Sequence, residues 1–394
     1  MKDSTFITRV ILKNYKSIAA CDVKLQPLTF LVGRNGSGKS NFLDALRFVA
    51  DALNTSLDHA IRVRGSIRDV CKRTDNPRDH HQYMSIHLEF ALSNGTKGYY
   101  TFRIETRLSG FIVQTEECNF RNETISNSDI FFNVEKGNVI DSSAKVAPAA
   151  AKDRLYLANA SGLPEFRPVY DAFSQMGFYN LNPDIIRNLQ DPDFGNGLLP
   201  DGSNLTTVFD QLSSDTKTGI QEYLKVITPG IERVRVRKFG HKETFEFKQY
   251  VAEGRRPLTF LANNMSDGTL RALGILVALF QENSDREKSV TLVGIEEPEI
   301  ALHPASVGVL LDAFQDATDK TQVIITSHSP DLLDNKDLDI ESIIAVGTFD
   351  GNTVIGPVDD ASRSVLRDKL FTTGELLQRD QLQPTQESVI SDET

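Results

Sequence analysis

The run GRNGSGKS, Gly33 to Ser40, lies between the apolar stretch Leu28-Thr29-Phe30-Leu31-Val32 and a helix-like segment that opens at Asn41. Its pattern, G-x-x-x-x-G-K-[ST], has a mechanical reason. Glycines let successive backbone N–H groups wrap a phosphate, a lysine reaches the β and γ phosphates, and a hydroxyl holds magnesium. Gly33, Arg34, Asn35, Gly36, Ser37, Gly38, Lys39 and Ser40 are therefore expected to cradle ATP, with Ser40 as a Mg2+ ligand. The setting agrees: a strand feeds the loop, and Phe42, Leu46, Val49, Ala50 and Leu53 fall on one face of the helix that leaves it. A second set of groups sits in TLVGIEEPEIALHP, 291–304, where an apolar strand ends in Glu296 and Glu297. Two neighbouring acids at a strand end can divide the work of phosphoryl transfer, one steadying magnesium and the other orienting an attacking water. A third strand, QVIIT, ends in Ser327-His328-Ser329-Pro330.

Three strands that deliver a phosphate loop, an acid pair and a histidine imply an α/β fold. The segment 5–32 reads as strands around Asn14-Tyr15-Lys16-Ser17, and YMSIHLEFAL, GYYTFRIETRL and GFIVQTEECNF read as an antiparallel meander. From about 150 to 228 the pattern turns helical and loop-rich, as an inserted subdomain would. Strand-like runs at 231–238, 243–250 and 257–262 follow, then NNMSDGTLRALGILVALFQ. The expected division is an N-terminal lobe (1–95), an antiparallel β segment (96–150), a helical insertion (151–230), a C-terminal lobe (231–377) and a disordered polar tail (378–394).

Composition narrows the class. The chain has 394 residues, 40% hydrophobic and 25% charged, enough for one large core or two smaller ones. No run approaches the length of a membrane helix and the start is not a signal peptide, so a cytoplasmic protein is expected, with no membrane partner. Cys21, Cys71 and Cys118 lie too far apart for a zinc site and read as reduced thiols. A net charge of −11 excludes a surface coated for indiscriminate nucleic-acid binding. Two local basic stretches remain, Arg62/Arg64/Arg68/Lys72/Arg73/Arg78 and Arg233/Arg235/Arg237/Lys238. They leave a nucleic-acid partner open, although each also reads as a solvated face.

With these motifs the chain resembles the ATP-binding-cassette (ABC) type ATPases of the SMC, RecF and OLD group, and within it the short single-head AAA ATPases. EEPEIALHP aligns with that group's Walker B and D-loop pattern, which makes Glu296 the magnesium-side acid, Glu297 the catalytic base and His303 the D-loop position. Glutamate stands in place of the usual first aspartate, and histidine in place of the D-loop aspartate. His328 matches the switch histidine, and MSDGTLR the signature motif, with Ser266 and Gly268 in its serine and second-glycine places. Gln190 and Gln82 are both candidates for the Q-loop glutamine.

The resemblance implies an ABC-ATPase head: a P-loop mixed sheet flanked by helices, an antiparallel β lobe and an inserted helical subdomain. It also implies a homodimer or larger homo-oligomer with composite ATP sites. No long coiled coil and no Toprim nuclease cluster is apparent, so a sensor or regulatory ATPase serving a separate effector protein is expected, in bacterial anti-phage defence. One alternative is a RecF-like DNA-binding ATPase of DNA repair. Another is a transporter's nucleotide-binding subunit, which the SDGTLR signature and the inserted segments disfavour.

Overall fold

The alternation of apolar and polar residues along the N-terminal half becomes a run of paired strands. A computed structural model of the chain describes residues 6–73, 82–108, 110–122, 126–193, 197–251, 256–281, 290–334, 338–368 and 370–385. In chain order the first strands are β1 (Ile7–Tyr15), β2 (Ile18–Lys24), β3 (Leu28–Val32), β4 (Tyr83–Ala91), β5 (Thr96–Arg107), β6 (Gly110–Asn122), β7 (Ser126–Glu135) and β8 (Asn138–Ser142). They are followed by β9 (Gly177–Tyr179), β10 (Ile231–Phe239), β11 (Lys242–Gln249), β12 (Leu258–Leu261), β13 (Leu292–Glu296), β14 (Gln322–Ser327), β15 (Ile343–Phe349) and β16 (Asn352–Pro357). Among the described residues no helix is long and apolar enough to cross a membrane.

The chain divides into two units, one comprising residues up to Met176 together with those from Asp339 onward, the other Gly177–Leu338. In the first, the strand order is β8-β7-β6-β5-β4-β1-β2-β16-β15-β3. The expected meander is there as β4, β5 and β6, antiparallel throughout, and β1 joins it with Val10 opposite Leu88. The sheet becomes mixed where β16 pairs parallel to β2 and β15 parallel to β3. Sequence placed 343–357 with a C-terminal lobe, but these strands belong to the N-terminal sheet, because pairing with β2 and β3 satisfies their backbone. Helix Lys39–Asn54 buries Phe42, Leu46, Phe48, Val49 and Leu53. The helices Tyr156–Ala160 and Arg167–Ser174, read from sequence as part of the insertion, also fall in this unit. They supply Tyr156 and Phe173, and the N-cap of the second supplies Phe166, to an aromatic core with Phe90, Tyr100, Phe120 and Phe132.

In that core lies the Glu116 carboxylate, fully buried. It accepts hydrogen bonds from the backbone N–H groups of Tyr156 and Leu157 and from the Tyr100 hydroxyl. Burial pushes its pKa up to about 7 against the pull of those three donors.

The start of the expected disordered tail is partly ordered. Pro384 pairs with Val358, and Thr385 donates its backbone N–H to Pro357 O. Residues 386–394 lie outside the described residues.

The second unit has a parallel sheet, β14-β13-β9, and a separate antiparallel sheet, β10-β11-β12. Its central helix, Asp267–Phe280, is buried at every residue from Thr269 to Leu279, as an apolar sequence on all faces requires.

Candidate nucleotide site

The phosphate loop follows β3, and its glycines are needed by geometry. Gly36 and Gly38 sit at φ +79° and +107°, the left-handed region. A Cβ on Gly33 would lie 2.0 Å from Val346 O, and one on Gly38 2.3 Å from Thr353 Oγ1. Lys39, only 4% exposed, donates from Nζ to Gly33 O (2.7 Å) and Arg34 O (2.9 Å), spanning the loop it is expected to serve. Thr353 Oγ1 donates to Ser37 O (2.9 Å) and also bonds Ser17 Oγ (2.7 Å), which accepts from Asn41 Nδ2 (2.7 Å). Ser37 Oγ is buried without a partner.

Helix Lys39–Asn54 starts with Gly38 at its N-cap, no side-chain cap and no acid in its first turn, so its dipole end is left to an anion. The glycine cradle, the lysine and the uncapped helix fit a polyphosphate, and the exposed Ser40 hydroxyl fits its metal. A cleft of about 1050 Å³ beside Gly33, Gly36 and Ser37 is also lined by Asp359, Asp380 and Thr385. Asp380 there pairs with Arg34 at 3.1 Å.

Behind the loop, Asp44 on the same helix gathers the Tyr15 hydroxyl (2.7 Å), Lys16 Nζ (2.6 Å) and Arg64 (2.9 Å). Arg64 also reaches Asp51 at 2.9 Å, and its side chain is 6% exposed. Burial alone would raise the Asp44 pKa, yet Arg64 and Lys16 hold it below its ordinary value. Arg64 is therefore a strut of the P-loop helix and not part of an outer basic face. Arg62 and Arg73 are exposed and paired within their own turns to Asp58 and Asp69, and Arg78 lies outside the described residues. In the second basic stretch, Arg235 and Arg237 share the buried Glu246.

In the second unit, Glu296 ends β13 opposite Thr326 of β14, and Glu297 turns away at φ +45° with its N–H bonded to Thr326 O (2.9 Å). His328 follows β14, its Nδ1 3.2 Å from Glu297 Oε1 but out of line for a hydrogen bond. Sequence missed two residues here. Glu299, its side chain 8% exposed, accepts from Ser327 Oγ (2.6 Å) and His328 N (3.3 Å) and so ties the segment after Glu297 to the histidine's loop. Arg271, 7% exposed, donates to Leu181 O, Glu296 O and Glu297 O, each at 3.0 Å. Burial lowers its pKa, while Glu299, Glu297 and Glu296 oppose that. The signal for Arg271 was available as one arginine inside an otherwise apolar helix.

His303 caps helix Pro304–Ala317, its Nδ1 accepting from Ala305 N at 3.1 Å. Ser266 caps helix Asp267–Phe280 by accepting from Thr269 N (3.3 Å). Gly268 has no room for a side chain, since a Cβ would lie 2.4 Å from Ala301 O. Gln190 is spent internally: Nε2 donates to Gly202 O and Oε1 accepts from Thr206. Gln82 lies in the first unit, just before β4.

A glycine-built phosphate cradle on a mixed α/β sheet, with an acid pair and a histidine at parallel strand ends, defines an ATPase head of the ABC type shared by SMC and OLD proteins. The chain belongs to the family described as "AAA domain, putative AbiEii toxin, Type IV TA system", whose model matches residues 28–334. It is 21% identical over 363 residues to the "Old nuclease" of Escherichia phage P2, covering 84% of this chain and 57% of that protein. It thus spans little more than half the length of that relative. Among solved structures it is similar to an SMC head bound to the C-winged helix domain of ScpA, with TM-score 0.53 and 16% identity over 91% of this chain and 99% of that one. It is also similar to an SMC head with an extended coiled coil, bound to the C-terminal domain of ScpA, from Pyrococcus furiosus. There the TM-score is 0.52 and the identity 12%, over 93% and 99%. These likenesses are of fold.

Proposed function

We propose that two copies of this chain close on ATP, each binding it on Gly33–Ser40 and offering the Ser266 end of its signature helix to the nucleotide held by the other. The observation that carries the reading is the placement of Glu297 beside His328 at the ends of adjacent parallel strands. In a paired state the loop N–H groups and Lys39 hold the β and γ phosphates. Glu297 orients a water and takes its proton as the oxygen attacks the γ phosphorus and the bond from that phosphorus to the β-phosphate oxygen breaks, releasing ADP and phosphate, while His328 holds the γ phosphate side of the site. Ser40 and Glu296 are the residues that would hold magnesium, which would supply neutralisation of the phosphate charge.

The cycle of pairing and release acts on a separate effector, in the cytoplasm, in bacterial defence against phage. The family description and the phage relative support that direction. The test is turnover by the purified chain: magnesium-dependent ATP hydrolysis that Lys39→Ala abolishes. Hydrolysis that survives Lys39→Ala would remove the loop from the reading.

A further inference from the structure

We propose that Arg271 is a positioning residue that couples the Ser266 end of its helix to the backbone of the acid pair. The inference rests on the ATPase reading above and deepens it. Removing a guanidinium from water costs several kcal/mol unless its donors are satisfied, and Arg271 is buried in a helix whose neighbouring positions are apolar. Nη1 and Nη2 donate to three backbone carbonyls where two parallel strands stop, Leu181 O just past β9 and Glu296 O and Glu297 O at the end of β13, while Nε is buried without a partner. There the ladder no longer supplies partners, and the planar fork of arginine can serve several carbonyls at once where an ammonium is a single point charge.

Glu297 needs such support. Its φ of +45° places a residue with a Cβ in the left-handed region, at a cost of about 1–2 kcal/mol. Its N–H is held by Thr326 O and its carbonyl by Arg271, so both backbone polar groups are pinned and the direction of the carboxylate is set. The same helix bears on the far end of the segment too. Gly268, in its first turn, packs against Ala301 O, and Ala301 is itself left-handed at φ +66°. Helix Asp267–Phe280 therefore grips Glu297 at one end of a short strained segment and Ala301 at the other. A phosphate arriving at the Ser266 cap pulls on the helix that sets Glu297, so engagement of the partner's nucleotide reaches the acid through Arg271.

The full-length chain carrying Arg271→Gln and Arg271→Lys tests this, with kcat and KM for ATP measured separately. Arg271→Gln should lower kcat by at least about tenfold, as misplacement of a catalytic group does, with KM within about twofold. Arg271→Lys should recover part of the loss. In a Glu297→Gln background the Arg271→Gln change should add nothing, because both act on one step. A wild-type kcat in Arg271→Gln, or a raised KM at unchanged kcat, overturns the assignment. If Arg271→Gln fails to bind ATP, and so has not folded, Arg271→Lys decides: reduced kcat at unchanged KM supports the clamp, and wild-type kcat overturns it. Lys39-dependent turnover by the wild-type chain is the control. Its absence defeats the ATPase reading, whereas its presence with normal Arg271 variants defeats this inference alone.

Discussion

His328 Nδ1 stands 3.2 Å from Glu297 Oε1, within bonding distance but out of line, and neither group is held by the other. The two can take up separate duties once a phosphate and a water lie between the strand ends. Glu297→Gln should therefore keep ATP binding while losing turnover by roughly 10²–10⁴-fold, since the amide keeps hydrogen-bonding capacity but not basicity. ATP-bound pairs should accumulate, visible as a doubled mass in light scattering. Normal turnover in this variant would take Glu297 out of the catalytic role.

Composite sites can be tested by mixing. Lys39→Ala damages a subunit's own loop, and Ser266→Arg obstructs the face it offers its partner. Each variant alone should be nearly inactive, whereas the mixture should regain part of the activity, because half of the sites in a mixed pair are intact on both sides. A Ser266→Arg protein that turns over ATP normally would reduce Ser266 to a helix cap.

Arg64 should matter to stability and not to any outer basic surface. Arg64→Ala leaves Asp44 short of its strongest partner in a half-dry seam, and a loss of about 3 kcal/mol in urea unfolding is expected. Because Asp44 is held below its ordinary pKa of 3.8, its contribution is present at neutral pH and lost as pH falls through its lowered value. Arg64→Ala should flatten that acid limb. Wild-type stability would place Arg64 outside the framework.

Glu116 acts in the opposite sense and a different window. Its pKa in the fold, about 7, lies above the ordinary 4.5, so the folded state holds the proton more tightly. Stability should fall as pH rises from about 4.5 to 7, by on the order of 3 kcal/mol, and level off above. Glu116→Gln should abolish that slope, with thermal unfolding from pH 5 to 8 as the measurement. An unchanged slope would mean that another group is responsible.

What could be read from the sequence was chemistry confined to a few consecutive residues. Gly36 and Gly38 are glycines because the backbone must go left-handed, and that requirement is local. The acid pair at the end of an apolar strand is local as well. Arg271 and Glu299 escaped because their partners are backbone atoms and a loop brought together by folding: nothing in RALGILVALF says which carbonyls an arginine will meet. Likewise, composition marked the polar run from 378 as unstructured, yet Pro384 lies opposite Val358. Strand pairing of that kind depends on an available edge, which composition does not encode.

The glycine loop of the candidate nucleotide site is walled by Val346 and Thr353, and Thr353 reaches Ser37 across a separation of 316 residues. On the ribosome the loop is made early and its wall late. Contacts this distant in sequence close slowly, so the nascent chain passes most of its synthesis with β3 lacking β15 at its side and the glycines unbraced. Competence to hold nucleotide is thus acquired only when the returning strands, 343–357, dock. A chain stalled or cut before them would carry the whole fingerprint and still have no finished cradle.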